Sequence, residues 1–172
     1  MVWEEPDEQD VQILARQLGR PPRGKVLVAS RCPFGRIQVA VTAPRLDDGT
    51  PFPTLYWLTC PLLRSEVGRL EAGDLRSRLR AMLEDGDLAR RLERAEMLYA
   101  EKRRELAVRE GMEDAVGLWA DRGGVGGGRP GSLKCLHAHY AQYLAGEDNP
   151  VGEAIHGELE DVQRRSCGGD CP

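Results

Sequence analysis

The reactive chemistry of this chain is concentrated in five cysteines and three histidines. Three cysteines stand in short phrases far apart, Cys32-Pro33-Phe34-Gly35, Thr59-Cys60-Pro61 and Lys134-Cys135-Leu136-His137-Ala138-His139, and the other two flank a polar turn in Cys167-Gly168-Gly169-Asp170-Cys171. Thiolate and imidazole are the ligands of zinc and, for thiolate above all, of iron–sulfur clusters, so a fold that gathers these phrases has a soft-ligand metal site. We expect Cys32, Cys60 and Cys135 to converge, with Cys171 as the fourth ligand and His139 or Cys167 in reserve, around an iron–sulfur cluster or, alternatively, zinc. Cys135 and His139 are four apart and share a helix face, whereas His137 points elsewhere. An open fourth position would let a cluster iron bind a substrate atom or a zinc activate water. The same segment also supports a thiol enzyme, with Cys135 as nucleophile at a helix N-terminus and His139 or His137 as base.

The elements that must position these residues are legible from periodicity. Val11, Leu14, Ala15 and Leu18 recur at helical spacing and Gly19 stands where a C-terminal cap belongs. Residues 25–30, 37–43 and 54–59 are rich in Val, Ile, Ala and aromatics and are separated by turn residues, which predicts a three-stranded antiparallel meander over 25–59. In such a meander the ends of the first and third strands lie at one edge of the sheet, which places Cys32 and Cys60 about 10 Å apart before twist. The period then changes, predicting a helical region over 61–121 that includes a long charged helix at 87–109. A Gly-rich loop at 122–131, C-terminal helices at 132–165 and a Cys-containing tail at 166–172 complete a single α+β domain.

The Gly-rich loop precedes a helix for which Ser132 is the expected N-cap. Backbone N–H groups there, with Arg31, Arg122, Arg129 and Lys134 as local cations, would hold a small anionic ligand beside Cys135; a plain flexible connector is the other reading. No Gly-Lys-Ser/Thr follows the glycines, so this is not a nucleotide-binding P-loop. On the long helix, Arg90, Arg91, Arg94, Lys102, Arg103 and Arg104 alternate with glutamates, a pattern of surface ion pairs that also offers a surface for a protein partner.

Taken together, Arg31-Cys32-Pro33-Phe34-Gly35, the run from Asp48 to Pro61, Arg69-Leu70-Glu71, Lys134-Cys135-Leu136-His137 and Asn149-Pro150-Val151-Gly152 resemble the bacterial DUF501 family. The resemblance spans about Leu18 to Gly152. It implies a housekeeping cytoplasmic role, in the neighbourhood of cell-division functions, and brings no activity or ligand with it. Composition agrees with that setting. Twenty-four basic and twenty-eight acidic residues give a net charge of −4, which predicts no duplex nucleic acid as partner. No stretch approaches the roughly 20 apolar residues of a membrane span, and the start lacks a signal-peptide pattern. Two function classes follow: a metal- or cluster-binding protein acting on a small anionic substrate, and a non-catalytic interaction module whose cysteines are structural.

Overall fold

Two apolar runs joined by a Cys-Pro-Phe-Gly turn form the hairpin that organises the chain. In the computed structural model, which describes residues 3–119 and 123–164, β1 (Val26–Arg31) pairs antiparallel with β2 (Ile37–Thr42), and β3 (Tyr56–Leu58) pairs with the other side of β2. Pro33 presets the turn, and Gly35, at φ 75°, donates its N–H to the Cys32 carbonyl at 2.9 Å. The result is the expected meander in a single α+β domain.

Helix α1 (Glu8–Leu18) packs on one side of the sheet, opened by a reciprocal Asp7–Asp10 capping box and closed by Gly19 at φ 72°. Its buried face is rotated from the apolar stripe of the sequence. Asp10, Ile13, Leu14 and Gln17 are buried while Val11 is 39% exposed. The reason is polar: Arg31 grips both oxygens of Asp10 at 2.8 Å, and the Gln17 amide donates to the Ile37 carbonyl at 3.1 Å. A small core of Leu14, Val28, Ile37 and Ala40 fills this side.

The larger core unites Leu27, Val39, Val41 and Leu58 of the sheet with the remaining helices. These are α2 (Pro61–Ala72), α3 (Leu75–Met82), α4 (Gly86–Arg109), α5 (Leu136–Leu144), α6 (Pro150–Glu158) and α7 (Glu160–Arg164), with 3-10 turns at Glu113–Trp119 and Val125–Gly127. Helix α4 follows its predicted stripe, burying Leu92, Ala95, Tyr99 and Leu106. Most of its basic residues have partners within the chain: Arg90 pairs with Asp87, Arg91 with Asp148 and Glu153, Lys102 with Glu147 at 2.7 Å, and Arg103 donates to the Pro53 carbonyl.

Asn149 and Pro150 open helix α6: Asn149 accepts the Gly152 N–H at 2.9 Å and Pro150 takes the N1 position. Helices α5 and α6 touch at Gly152, where an added Cβ would lie 2.4 Å from Tyr143 Cβ and 2.6 Å from the His139 carbonyl oxygen. Gly152→Ala must therefore push the two helices apart, and chemical denaturation should show a loss of about 1–3 kcal/mol or more. An unchanged midpoint would mean that this contact does not set the α5–α6 spacing.

Candidate functional site

The N-terminus of α5 rests on the C-terminal half of α2, and three potential ligand atoms meet there. The Cys135 sulfur, a His137 ring nitrogen and a Glu71 carboxylate oxygen lie within 4.8 Å of one another. Cys135 is the N-cap of α5, with extended φ −133° and ψ 97°. Because it stands outside the helix, the four-residue face rule does not apply to it, and His137 rather than His139 becomes its neighbour. Sequence reasoning passed over Glu71. In the sequence it stands only within the Arg69-Leu70-Glu71 phrase of the family resemblance, seven residues and two helical turns after Arg64.

Each of the two ligands on either side of Cys135 is fixed by one atom. Glu71 Oε1 accepts the Leu136 N–H at 2.6 Å, capping the first turn of α5. His137 Nε2 lies 3.0 Å from the Arg64 carbonyl oxygen, which only accepts, so this nitrogen carries the proton. In the neutral ring Nδ1 then holds a bare lone pair, and it faces Glu71 Oε2 at 3.3 Å. Two acceptors facing each other need a cation or a proton between them. Accordingly the hydrogen bond with Cys135, supported by the Arg64 carbonyl and the Glu71 charge, raises the His137 pKa above its usual value despite partial burial.

The other predicted ligands lie elsewhere. Among the described residues, Cys32 and Cys60 join no group of three ligand atoms with Cys135. Their proline neighbours have backbone roles. Cys32 opens the β1–β2 turn, half-buried, and Cys60 precedes α2, with Pro61 at its first helical position and its own side chain in the principal core. The two do sit at the same end of the sheet, on either side of β2. His139 is fully buried, with Nε2 on the Ser132 carbonyl at 3.2 Å and Nδ1 facing the Asn149 amide at 3.2 Å. Asn149 donates to Gln142, Gln142 to Glu147, and Tyr56 donates its O–H to Glu147, so His139 ends a buried polar chain. Burial lowers its pKa. Cys167, Cys171 and Arg122 lie outside the described residues.

The expected anion cradle is occupied from within. Gly131 donates its N–H to both oxygens of the buried Glu96, at 2.8 and 3.0 Å, while the amides of Gly124, Gly127 and Gly128 bond to carbonyls of the same loop. Gly127 allows close approach to Pro53, whose Cγ would lie 2.7 Å from an added Cβ. Ser132 is not the N-cap; its carbonyl receives His139, and α5 starts four residues later. Arg31 is committed to Asp10, Glu4 and the Gly35 carbonyl. Arg129 and Lys134 are exposed.

A cleft of about 410 Å³ borders the cluster. Its lining includes Cys135, His137, Arg64, Thr54 and Ala138, together with Phe52 and Trp57, whose rings stack at 5.4 Å.

Residues 28–157 match the family described as Protein of unknown function (DUF501), and the chain belongs to that family. No curated protein and no solved structure matches it. The matched span contains Arg64, Glu71, Cys135 and His137. Among the described residues no helix is long and apolar enough to cross a membrane.

The two histidines should titrate in opposite directions, with His137 above and His139 below the ordinary imidazole value of about 6.5 in side-chain NMR titrations. His139, depressed in the folded state, contributes stability that is present above about pH 6.5 and is lost as pH falls through its folded pKa. His139→Gln should lower stability at pH 7 yet flatten the loss between pH 7 and 5. An equally steep loss in the variant would assign the acid sensitivity to other groups. Glu71→Gln should bring His137 down towards 6.5, because it removes the facing charge.

Proposed function

We propose that this member of the DUF501 family binds one zinc ion through Cys135 Sγ, His137 Nδ1 and Glu71 Oε2, with the fourth position open to the adjoining cleft. The reading rests on the facing acceptors. The His137 lone pair and the Glu71 oxygen, 3.3 Å apart, require a positive charge between them, and a divalent cation supplies it above the pH at which a proton does. The spacing suits zinc: bonds of about 2.0 Å to nitrogen and to oxygen at a tetrahedral angle set those two atoms about 3.3 Å apart. The supporting shell suits it as well, since the far imidazole nitrogen is tied to the Arg64 carbonyl and the far carboxylate oxygen to the Leu136 amide.

The donor set favours zinc over an iron–sulfur cluster. Clusters draw on several thiolates, whereas one thiolate here joins an imidazole and a carboxylate, the mixed set of a borderline metal. A zinc with three protein ligands and an open position is the catalytic rather than the structural pattern, and a bound water there would be acidified to near neutrality. The function is therefore a zinc-dependent activity on a small molecule in the cleft. The interaction-module reading has less support, because Arg91, Lys102 and Arg103 of α4 are engaged within the chain.

Full-length protein titrated with zinc under reducing conditions should take up about one equivalent, measured by competition with a chromophoric chelator. Cys135→Ser, His137→Gln and Glu71→Gln should each weaken binding by at least about tenfold to a hundredfold, while Cys32→Ser and Cys60→Ala should keep it. Affinity should fall as pH drops through the raised pKa of His137, because proton and metal compete for Nδ1. Retention of full affinity in the three ligand variants, or its loss in Cys32→Ser, would overturn the assignment.

A further inference from the structure

Arg64 occupies an unusual position beside the proposed zinc. It is half-buried on α2, its carbonyl orients His137, and the residue lines the cleft with Cys135 and His137. One guanidinium nitrogen donates to the Gln17 carbonyl at 2.9 Å, near the end of α1. No carboxylate pairs with this guanidinium among the described residues. That contrasts with Arg31, Arg78 and Arg91, each of which is paired with acidic side chains.

The charge balance of the site then points to the sign of its occupant. Zinc held by one thiolate, one carboxylate and a neutral imidazole would be neutral, which leaves Arg64 as a net positive charge on the lining of the same cleft. The cleft is also lined by the stacked rings of Phe52 and Trp57. A cleft of this size with a few convergent polar groups matches a small organic ligand. A guanidinium next to a metal matches an oxyanion, which it can bind through two parallel N–H groups.

We infer that the cleft binds a small organic oxyanion, a carboxylate or a phosphate monoester, with its charged end between Arg64 and the zinc and its apolar body against Phe52 and Trp57. The inference rests on the zinc reading and names the substrate class of that same site. The sequence placed anion recognition in the Gly-rich loop; here it passes to Arg64.

The test is calorimetric titration of the zinc-loaded full chain with four probes: benzoate, phenyl phosphate, inorganic phosphate and benzamide. At least one of the two aromatic anions should bind, and inorganic phosphate, which lacks the apolar body, and benzamide, which lacks the charge, should bind at least about tenfold more weakly. Whichever aromatic anion binds more tightly identifies the headgroup. Arg64→Gln should weaken that anion by about tenfold or more with zinc affinity changed by less than about threefold, and Arg64→Lys should recover part of the loss. The lysine variant also guards against a folding defect, since it preserves the charge near the end of α1. Zinc uptake without binding of either aromatic anion would overturn this inference and leave the metal site standing. Equal binding of benzamide, or unchanged anion affinity in Arg64→Gln, would overturn it as well. Failure of zinc uptake in the wild type would remove both.

Discussion

One carboxylate determines whether the site exists. Glu71 stands on α2 and accepts the first amide of α5, so the helix that carries His137 is docked by the same group that faces the His137 imidazole. A charged hydrogen bond of this kind is worth about 1.5–3 kcal/mol, and it acts where the α5 dipole favours negative charge. Its second consequence is directional. With Oε1 held by the Leu136 amide, Oε2 is turned to His137, and the imidazole, held by the Arg64 carbonyl, returns Nδ1 to it. The cluster is thus organised from its far atoms inward.

The opposite side of α5 is fixed by a different device. His139, Gln142 and Asn149 form a continuous buried chain that reaches Glu147, which in turn receives Tyr56 and Lys102. Every member has a partner, so the chain tolerates burial, and loss of any one would strand its neighbours in a low dielectric. The penalty for misplacing α5 is therefore high on both faces. Gly152 removes the remaining obstacle by letting α6 approach the His139 carbonyl.

The contrast between what the sequence disclosed and what it concealed has a physical basis. Strands β1 to β3 and helix α4 announce themselves because burial of a face imposes period 2 or period 3.6 on apolar residues, and only the α1 stripe was rotated, by two buried polar residues that hydropathy counts as exposed. The site was half legible. The spacing singles out Cys135 but pairs it with His139 and turns His137 away, because it predicts a helix that begins near Ser132. Where α5 starts is decided by Glu71 and Glu96, acceptors more than thirty residues away that capture Leu136 and Gly131, and local propensity holds no record of either. The two Cys-Pro phrases misled for a related reason. Proline after cysteine looks like a stiffened ligand loop, yet Pro33 serves a hairpin turn and Pro61 a helix start, so the backbone alone accounts for both.

The Gly-rich loop and Arg64 illustrate one rule for deciding where a ligand can bind. Oriented amides and guanidinium groups attract anions only while nothing in the protein already satisfies them. The loop amides of Gly124, Gly127, Gly128 and Gly131 fail this condition, since Glu96 supplies an internal anion to Gly131 and loop carbonyls take the other three. Arg31 fails it too, with Asp10 and Glu4 on its fork. Arg64 meets it: among the described residues its guanidinium donates to a neutral carbonyl and pairs with no carboxylate, and the cleft it lines also holds Cys135, His137, Phe52 and Trp57. A zinc at Cys135, His137 and Glu71 would cancel the nearby negative charge and leave that guanidinium without a counterion on the cleft side. An incoming oxyanion would then complete the metal coordination and the electrostatics of the cleft in one step, which is why the metal and the ligand are best understood as parts of a single site.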